Sequence, residues 1–400
     1  DFHRTPNLNQ CLVNSMIAAE HGVQALHYLK RVNFSQCENP EYTSLDEDGK
    51  QIQFLMDFNM GTDTYIAGER LGGISGGIYH ENENTYEFIS DRLHSYGGAY
   101  TFSVEFENVT DRFKFKRKLK GEFRRYPQIQ NLEAITFHKE KVVFGIESLD
   151  DKNNGLFEVG TDDQLRPIPL PLTYRNVTIS RTKKEGEPET HELGLQDNLG
   201  LEGVSFSPNG RFLYAVSEEP LLSDAGIELD KKSVVRILRY SINKKGEYRL
   251  DRQFLYPLEN LEEGRNFGIS EILAISSQEL LVMERKWDND AKHTNVRIFK
   301  VDFTDAVNIV GDARRLEKSG TDPVPAKHNR DKNISVENYP VYDLVEKEEV
   351  YNFDDTLPAL APGFRDMDNL ETMILGPKLP DGRNLLVVAS DSNFRGHAQR

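Results

Sequence analysis

Acidic residues recur at matching points in several short stretches of this chain. Glu133 and Glu147, Glu202 and Glu218, Glu271 and Glu284, and Glu371 and Asp391 each bracket a pair of apolar runs joined by a turn. In an earlier stretch Ser75 stands where the opening acid would be, and Asp91 keeps the closing one. If each stretch is an antiparallel hairpin, the start of its first strand and the end of its second lie at the same end. All these groups then reach one face. Carboxylates within ~4 to 6 Å of each other disfavour joint ionisation, so such a gathering holds protons at raised pKa or holds a cation. With oxygen donors and no interleaved Cys or His, the fitting cation is Ca²⁺, which accepts about six to eight oxygens in flexible geometry. Glu133, Glu202, Glu271 and Glu371 form the expected inner set, although any single glutamate at a strand end is more often a solvated surface residue.

A calcium ion there would polarise an ester oxygen and acidify a bound water while a neighbouring glutamate takes the proton. Glu202 and Glu271 are the expected catalytic carboxylates. A phosphate substrate also needs positive charge. Arg92, Arg285 and Lys286 follow directly on closing acids, and Arg suits bidentate phosphate contacts. For each of the three, a rim salt bridge is the competing reading.

Positioning such residues requires a repeated scaffold, and the chain has one. Related stretches start at 72, 131, 200, 268 and 369, each a strand, a turn rich in Asn, Asp, Gly or Gln, and a second strand. Further strand-like runs follow at 99, 234, 252 and 296. Four antiparallel strands per repeat make a propeller blade, and blades must close into a ring to bury both faces. The expected fold is therefore an all-β propeller over residues 49–400 with five recognisable repeats. A sixth, degenerate blade or a lid-like insertion could lie in the charged stretch 304–366. The run at 52–60 is the candidate partner for the last blade, removing an exposed strand edge. Residues 1–48 read as a separate extension, because Leu12, Val13, Met16, Ile17, Val23, Leu26 and Leu29 have helical spacing. The basic run at 111–125 alternates with Phe113, Phe115 and Leu119, as in a solvent-facing outer strand.

Composition narrows the partners. Lys plus Arg number 49 against 65 Asp plus Glu, a net charge of −16, which speaks against a nucleic acid. No apolar run reaches the length of a membrane helix. Cys11 and Cys37 suit one disulfide or two buried thiols equally well. Residue 1 is Asp rather than Met, which reads as a processed or trimmed chain.

NLEAITF at 131, GLEGVSFSPNGRFLYAVSEEPL at 200, ISEI with LLVMER, DNLETM with LLVVASDSNF, and LGGISGGIYHENENTYEFISDR at 71 resemble the phytase-like domain family, also described as having esterase-like activity of phytase. The similarity spans about residues 52–394. It implies a propeller that is secreted or periplasmic, and a hydrolase of phosphate or carboxylic esters. Carried over by position, the family's acidic motif residues fall on Glu133, Glu202, Glu218, Glu271, Glu284, Glu371 and Asp391, with Asn393 in the terminal acid-asparagine-aromatic motif. Asp391 and Asn393 thus join the expected metal ligands. Ser392 departs from the pattern, standing where an Asn often precedes Asn393.

The functional expectation is a monomeric, calcium-dependent hydrolase of a small-molecule ester. Two alternatives stay open: a non-catalytic binding or scaffold propeller with a structural calcium ion, and a lactonase-type hydrolase with an apolar pocket. A serine nucleophile fails on spacing, since GGISGG has no strand-turn-helix context. Zinc and thiol chemistry find no motif among the ten His and two Cys.

Overall fold

A computed structural model describes residues 52, 64–91, 97–109, 112–126, 129, 131–147, 154–160, 164–182, 188–196, 199–259, 267–288, 293–310, 343–353, 369–378 and 383–391. A short ribbon of β1 (Tyr65–Ile66) and β2 (Glu69–Arg70) precedes the first sheet, β3 (Ile74–His80), β4 (Thr85–Ser90), β5 (Gly97–Val109) and β6 (Arg112–Tyr126). The second sheet is β7 (Leu132–His138), β8 (Lys141–Ile146), β9 (Gly155–Val159) and β10 (Leu165–Ile168), followed by a ribbon of β11 (Val177–Thr182) and β12 (Pro188–Leu193). The third contains β13 (Leu201–Phe206), β14 (Phe212–Ser217), the short β15 (Glu228–Leu229), β16 (Lys232–Ile242) and β17 (Tyr248–Pro257). The fourth is β18 (Gly268–Ala274), β19 (Glu279–Asp288), β20 (His293–Asp302) and β21 (Lys347–Asn352), and the described part of the fifth is β22 (Leu370–Lys378) with β23 (Asn384–Ser390).

These sheets form a β-propeller. The inner strands β3, β7, β13, β18 and β22 each contact the next, and β22 returns to β3, so the ring closes with five members. The reason lies in the sequence: each blade is apolar on both faces, and every seam between neighbours holds its own buried cluster. Ile78, Ile89 and Ala99 meet Leu132, Ile135 and Phe144 at the first seam. Val143 and Leu156 meet Val204 and Leu213 at the second, and Val216 and Val235 meet Ile272 and Leu280 at the third. Met283 and Ile298 meet Leu370 and Met373 at the fourth, while Ile374 and Ala389 meet Ile74, Phe88 and Phe102 at the fifth.

All five expected hairpins are present, and the runs at 99, 234, 252 and 296 fall on β5, β16, β17 and β20. The basic run lies on β6, the outermost strand of its sheet. Part of the stretch 304–366 supplies β21, the outer strand of the fourth blade. Ile52 packs on the cluster between the fourth and fifth sheets. The expected helical extension with Cys11 and Cys37, and the rest of the run at 52–60, lie outside the described residues. No helix among the described residues is long and apolar enough to cross a membrane.

Candidate active site at the acidic end of the ring

The five inner hairpins share one irregularity. Pairing jumps between Ile74 and Gly76, Leu132 and Ala134, Leu201 and Gly203, Ile269 and Glu271, and Leu370 and Thr372, leaving one residue bulged in each inner strand. Those residues are Ser75, Glu133, Glu202, Ser270 and Glu371. A bulge bends the strand and re-aims a side chain, which is why such irregularities gather at functional ends of sheets. The acids that close the hairpins are set by the same register. The N–H groups of Asp91, Glu147, Glu218 and Asp391 donate to the carbonyls of Gly73, Asn131, Gly200 and Asn369, the residues just before each inner hydrophobe. In the fourth hairpin Gly268 holds that place and its pairing partner is Arg285.

This corrects the fourth hairpin. Glu271 and Glu284 were expected at the inner and closing positions, but the register places Ser270 and Arg285 there. The inner ring is therefore Ser75, Glu133, Glu202, Ser270 and Glu371. The closing ring is Asp91, Glu147, Glu218, Arg285 and Asp391. Aligning the repeats on the inner hydrophobe, Ile74, Leu132, Leu201, Ile269 and Leu370, would have found the shift; aligning on the acid hides it.

The two rings act on each other electrically. Burial pushes the Glu133 carboxyl well above the usual carboxylate range, and Asp91, Glu371, Glu147 and Glu218 push it further. Burial does the same to Glu202, reinforced by Glu133, Glu218 and Glu371 and opposed by Arg285. Glu371 is pushed up to about 7, again by burial first, with Arg285 pulling down and Asp391 and Glu218 adding to the rise. Burial alone would lower the Arg285 pKa, but Glu371, Glu218 and Glu202 outweigh it and keep the guanidinium charged. Arg285 bonds Glu371 through one terminal nitrogen and Glu218 Oε1 through the other at 3.3 Å. It thereby ties the third, fourth and fifth blades at the acidic end.

Neighbouring blades are also clasped by the closing acids. The Gly200 N–H donates to Glu147 Oε1 at 2.5 Å, and the Asn131 amide donates to Glu147 Oε2 at 3.0 Å. A Cβ on Gly200 would meet that carboxylate at 2.7 Å, so a larger residue there would push the Glu147 side chain aside. Ser75 Oγ donates to the Leu132 carbonyl on the next inner strand, which makes it a cross-blade tie.

The remaining expected residues separate into three groups. Glu271 is buried one residue beyond the ring, where its Oε1 accepts the Ile272 N–H at 2.9 Å, and burial pushes its carboxyl well above the usual range against the pull of backbone N–H groups. Glu284 faces a different cluster: it accepts from the Tyr256 hydroxyl and the Glu259 N–H and pairs with Lys347. Lys347 in turn lies over the Phe299 and Tyr256 rings. Lys286 is buried and, by strand alternation, faces away from Arg285 on the side of Glu284. Arg92, Ser392 and Asn393 lie outside the described residues. Sequence reasoning missed Asn131 and Ser270, whose Oδ1 and Oγ are buried without hydrogen-bond partners among the described residues. Among those residues, no three His, Cys, Asp or Glu side chains are gathered closely enough to grip a metal ion.

No curated protein matches the chain. Among solved structures it is similar to a periplasmic gluconolactonase from Pseudomonas aeruginosa, at 12% identity and a TM-score of 0.31, covering 82% of this chain and 84% of that one. It is also similar to a 6-phosphogluconolactonase candidate from Bacteroides uniformis, at 11% identity and a TM-score of 0.31, covering 83% and 85%. At such identities and TM-scores neither likeness carries an argument. The sequence itself is decisive: the model of the phytase-like family, described as esterase-like activity of phytase, matches residues 69–394, and the chain belongs to that family.

Proposed function

We propose that the protein is a hydrolase of small phosphate or carboxylic esters, working at the acidic end of its propeller. One observation carries this reading: Glu202 and Glu371 share the inner ring, and both hold their protons to higher pH than ordinary carboxylates. A carboxyl near pKa 7 can both accept and return a proton at neutral pH. In this mechanism Glu371 takes a proton from the water that attacks the ester carbon or phosphorus. Glu202 gives its proton to the departing alkoxide, and solvent then restores both. Arg285 is the cation in direct contact with Glu371 and the group best placed to steady negative charge developing on the substrate. Glu371 replaces Glu271 in the proposed pair because the register puts Glu371 on the inner ring and Glu271 one residue beyond it.

Calcium belongs to the proposal. The donor set suits a hard cation, since it is oxygen only and includes the unpartnered Asn131 Oδ1 and Ser270 Oγ. Glu133, Glu202, Glu371 and Asp391 are the acids such an ion would draw on, but as they stand no three acids among the described residues are close enough to grip one, so no step of the mechanism runs through a metal. An exported setting and a monomeric state complete the reading.

A second reading has its own support. Glu147 and Arg285 spend hydrogen bonds on clasping blades together, as they would in a binding module whose acids are structural. Turnover of p-nitrophenyl phosphate and p-nitrophenyl acetate, with Ca²⁺ and with chelator, separates the two. Hydrolysis of either ester that is lost in Glu202→Gln supports the enzyme. A chelator-induced drop in Tm with no turnover on either ester supports the binding module.

A further inference from the structure

The two rings at the acidic end are lopsided in charge. Across Ser75, Glu133, Glu202, Ser270 and Glu371, and then Asp91, Glu147, Glu218, Arg285 and Asp391, seven carboxyls stand against one guanidinium. That guanidinium is held at both ends, by Glu371 and by Glu218. Lys286, the next residue of β19, lies on the other side of its strand with Glu284. Burial and mutual repulsion hold protons on Glu133, Glu202 and Glu371 to higher pH than usual. An incoming anion meets the same repulsion.

A phosphate monoester carries about 1.5 to 2 negative charges at neutral pH. Transfer of its phosphoryl group spreads charge over three equatorial oxygens, and sites for that chemistry supply several cations. Acyl transfer asks for less. Its tetrahedral intermediate places one negative charge on one oxygen, which one or two aimed donors can steady.

The inner ring holds a spare donor of that kind. Its two serines share a register position but not a role. Ser75 Oγ donates to the Leu132 carbonyl, whereas Ser270 is 0% exposed and its Oγ has no hydrogen-bond partner among the described residues. A buried hydroxyl left unpaired costs about 1–3 kcal/mol, so its retention points to a group that takes the bond. Ser270 stands on the inner strand between those that carry Glu202 and Glu371, in the same bulged position as both.

We infer that the substrate of this site is a carboxylic ester without anionic groups, favoured when it carries a positive charge, and that the Ser270 hydroxyl is the donor for its oxyanion. The inference rests on the hydrolase reading and narrows it. As the water oxygen bonds to the carbonyl carbon, its proton passes to Glu371 and the carbonyl π pair moves onto oxygen, where the Ser270 O–H donates to it. The pair then returns, the bond to the alcohol oxygen breaks, and Glu202 gives that oxygen its proton. The products are one acid and one alcohol, and Ser270 forms no covalent bond.

The test measures kcat and KM of the full chain on p-nitrophenyl phosphate, p-nitrophenyl acetate and the cationic ester acetylthiocholine, with chelator and with Ca²⁺. Both acetate esters should be hydrolysed, with kcat/KM for the phosphate at least about 100-fold lower. Raising salt from about 0.02 M to about 0.5 M should lower kcat/KM for acetylthiocholine at least about threefold and leave p-nitrophenyl acetate within about twofold. Ser270→Ala should lower kcat on p-nitrophenyl acetate about 100-fold with KM within about twofold and Tm close to the wild-type value. Ser270→Thr, which keeps the hydroxyl, should recover part of that loss. Phosphate turned over as well as acetate, with or without Ca²⁺, overturns the inference while leaving a hydrolase in place. An acetylthiocholine rate indifferent to salt, or a Ser270→Ala kcat equal to the wild-type value, overturns it as well. Turnover of none of the three esters removes the hydrolase reading and this inference together.

Discussion

The seam between the second and third blades and the seam between the fourth and fifth solve one problem in two ways. At the former, Glu147 reaches across to the Gly200 N–H and is steadied by the Asn131 amide. At the latter, Arg285 stands in the position of Glu147 and reaches across to Glu371, while its other end holds Glu218. The first seam is neutralised by backbone dipoles, the second by a formal charge. One cation inserted into a register that elsewhere carries Asp91, Glu147, Glu218 and Asp391 offsets part of the mutual repulsion of the acids. It also leaves Glu371 titrating near neutrality rather than locked in one state.

The largest effect should come from deleting that cation. Arg285→Met leaves Glu218 and Glu371 without a counter-charge, and removing one partner of a buried pair costs about 3–5 kcal/mol. Urea denaturation at neutral pH reads this directly, and a cost below about 1 kcal/mol would mean that the seam does not depend on the ion pair.

Acidity offers a second way to probe the same seam. A carboxyl with a folded pKa of about 7 and an unfolded value near 4.5 binds its proton more tightly when folded. It therefore favours the folded state fully below the unfolded value, and that gain is lost as pH rises from about 4.5 through about 7. Glu133 and Glu202 act in the same sense. Stability should fall as pH is raised across that window, and Glu371→Gln should flatten the fall by about 3 kcal/mol. A Glu371→Gln profile that follows the wild type would show that Glu371 is not the titrating group.

The backbone-clasped seam should be more forgiving. Glu147→Gln keeps an acceptor for the Gly200 N–H, so its cost should be about 1 kcal/mol. A loss as large as that of Arg285→Met would erase the distinction between the seams. Smallest of all should be Lys114, Lys116 and Lys118 replaced together by Gln on the outermost strand β6. That change should leave any turnover near wild type and stability within about 0.5 kcal/mol; a large loss would mean that β6 takes part in the acidic end.

The propeller was legible because each repeat states its own two strands and turn, and blades apolar on both faces have no stable alternative to a ring. Four of the five hairpins also showed their inner and closing residues, since Ser75 with Asp91 and the three Glu-led pairs keep the same hydrophobic phase. The fourth was misread for a physical reason. A bulge shifts facing by one residue, and where Ser270 and Glu271 are adjacent the eye follows the charge while the backbone follows Ile269. The same slip put Glu284 in place of Arg285 and hid the cation among the acids. Asn131 gave no signal at all, because its place depends on a bond to Glu147 that no local pattern encodes.

The central claim is that glutamates from separate blades meet in one electrostatic unit, and a double-mutant cycle tests it most directly. Glu202→Gln, Glu371→Gln and the double variant should be compared by urea denaturation at pH about 8, where like charges repel most. The account predicts non-additivity of about 0.5–3 kcal/mol, as for residues sharing one network. Additivity within about 0.3 kcal/mol, the behaviour of distant and independent sites, would contradict it.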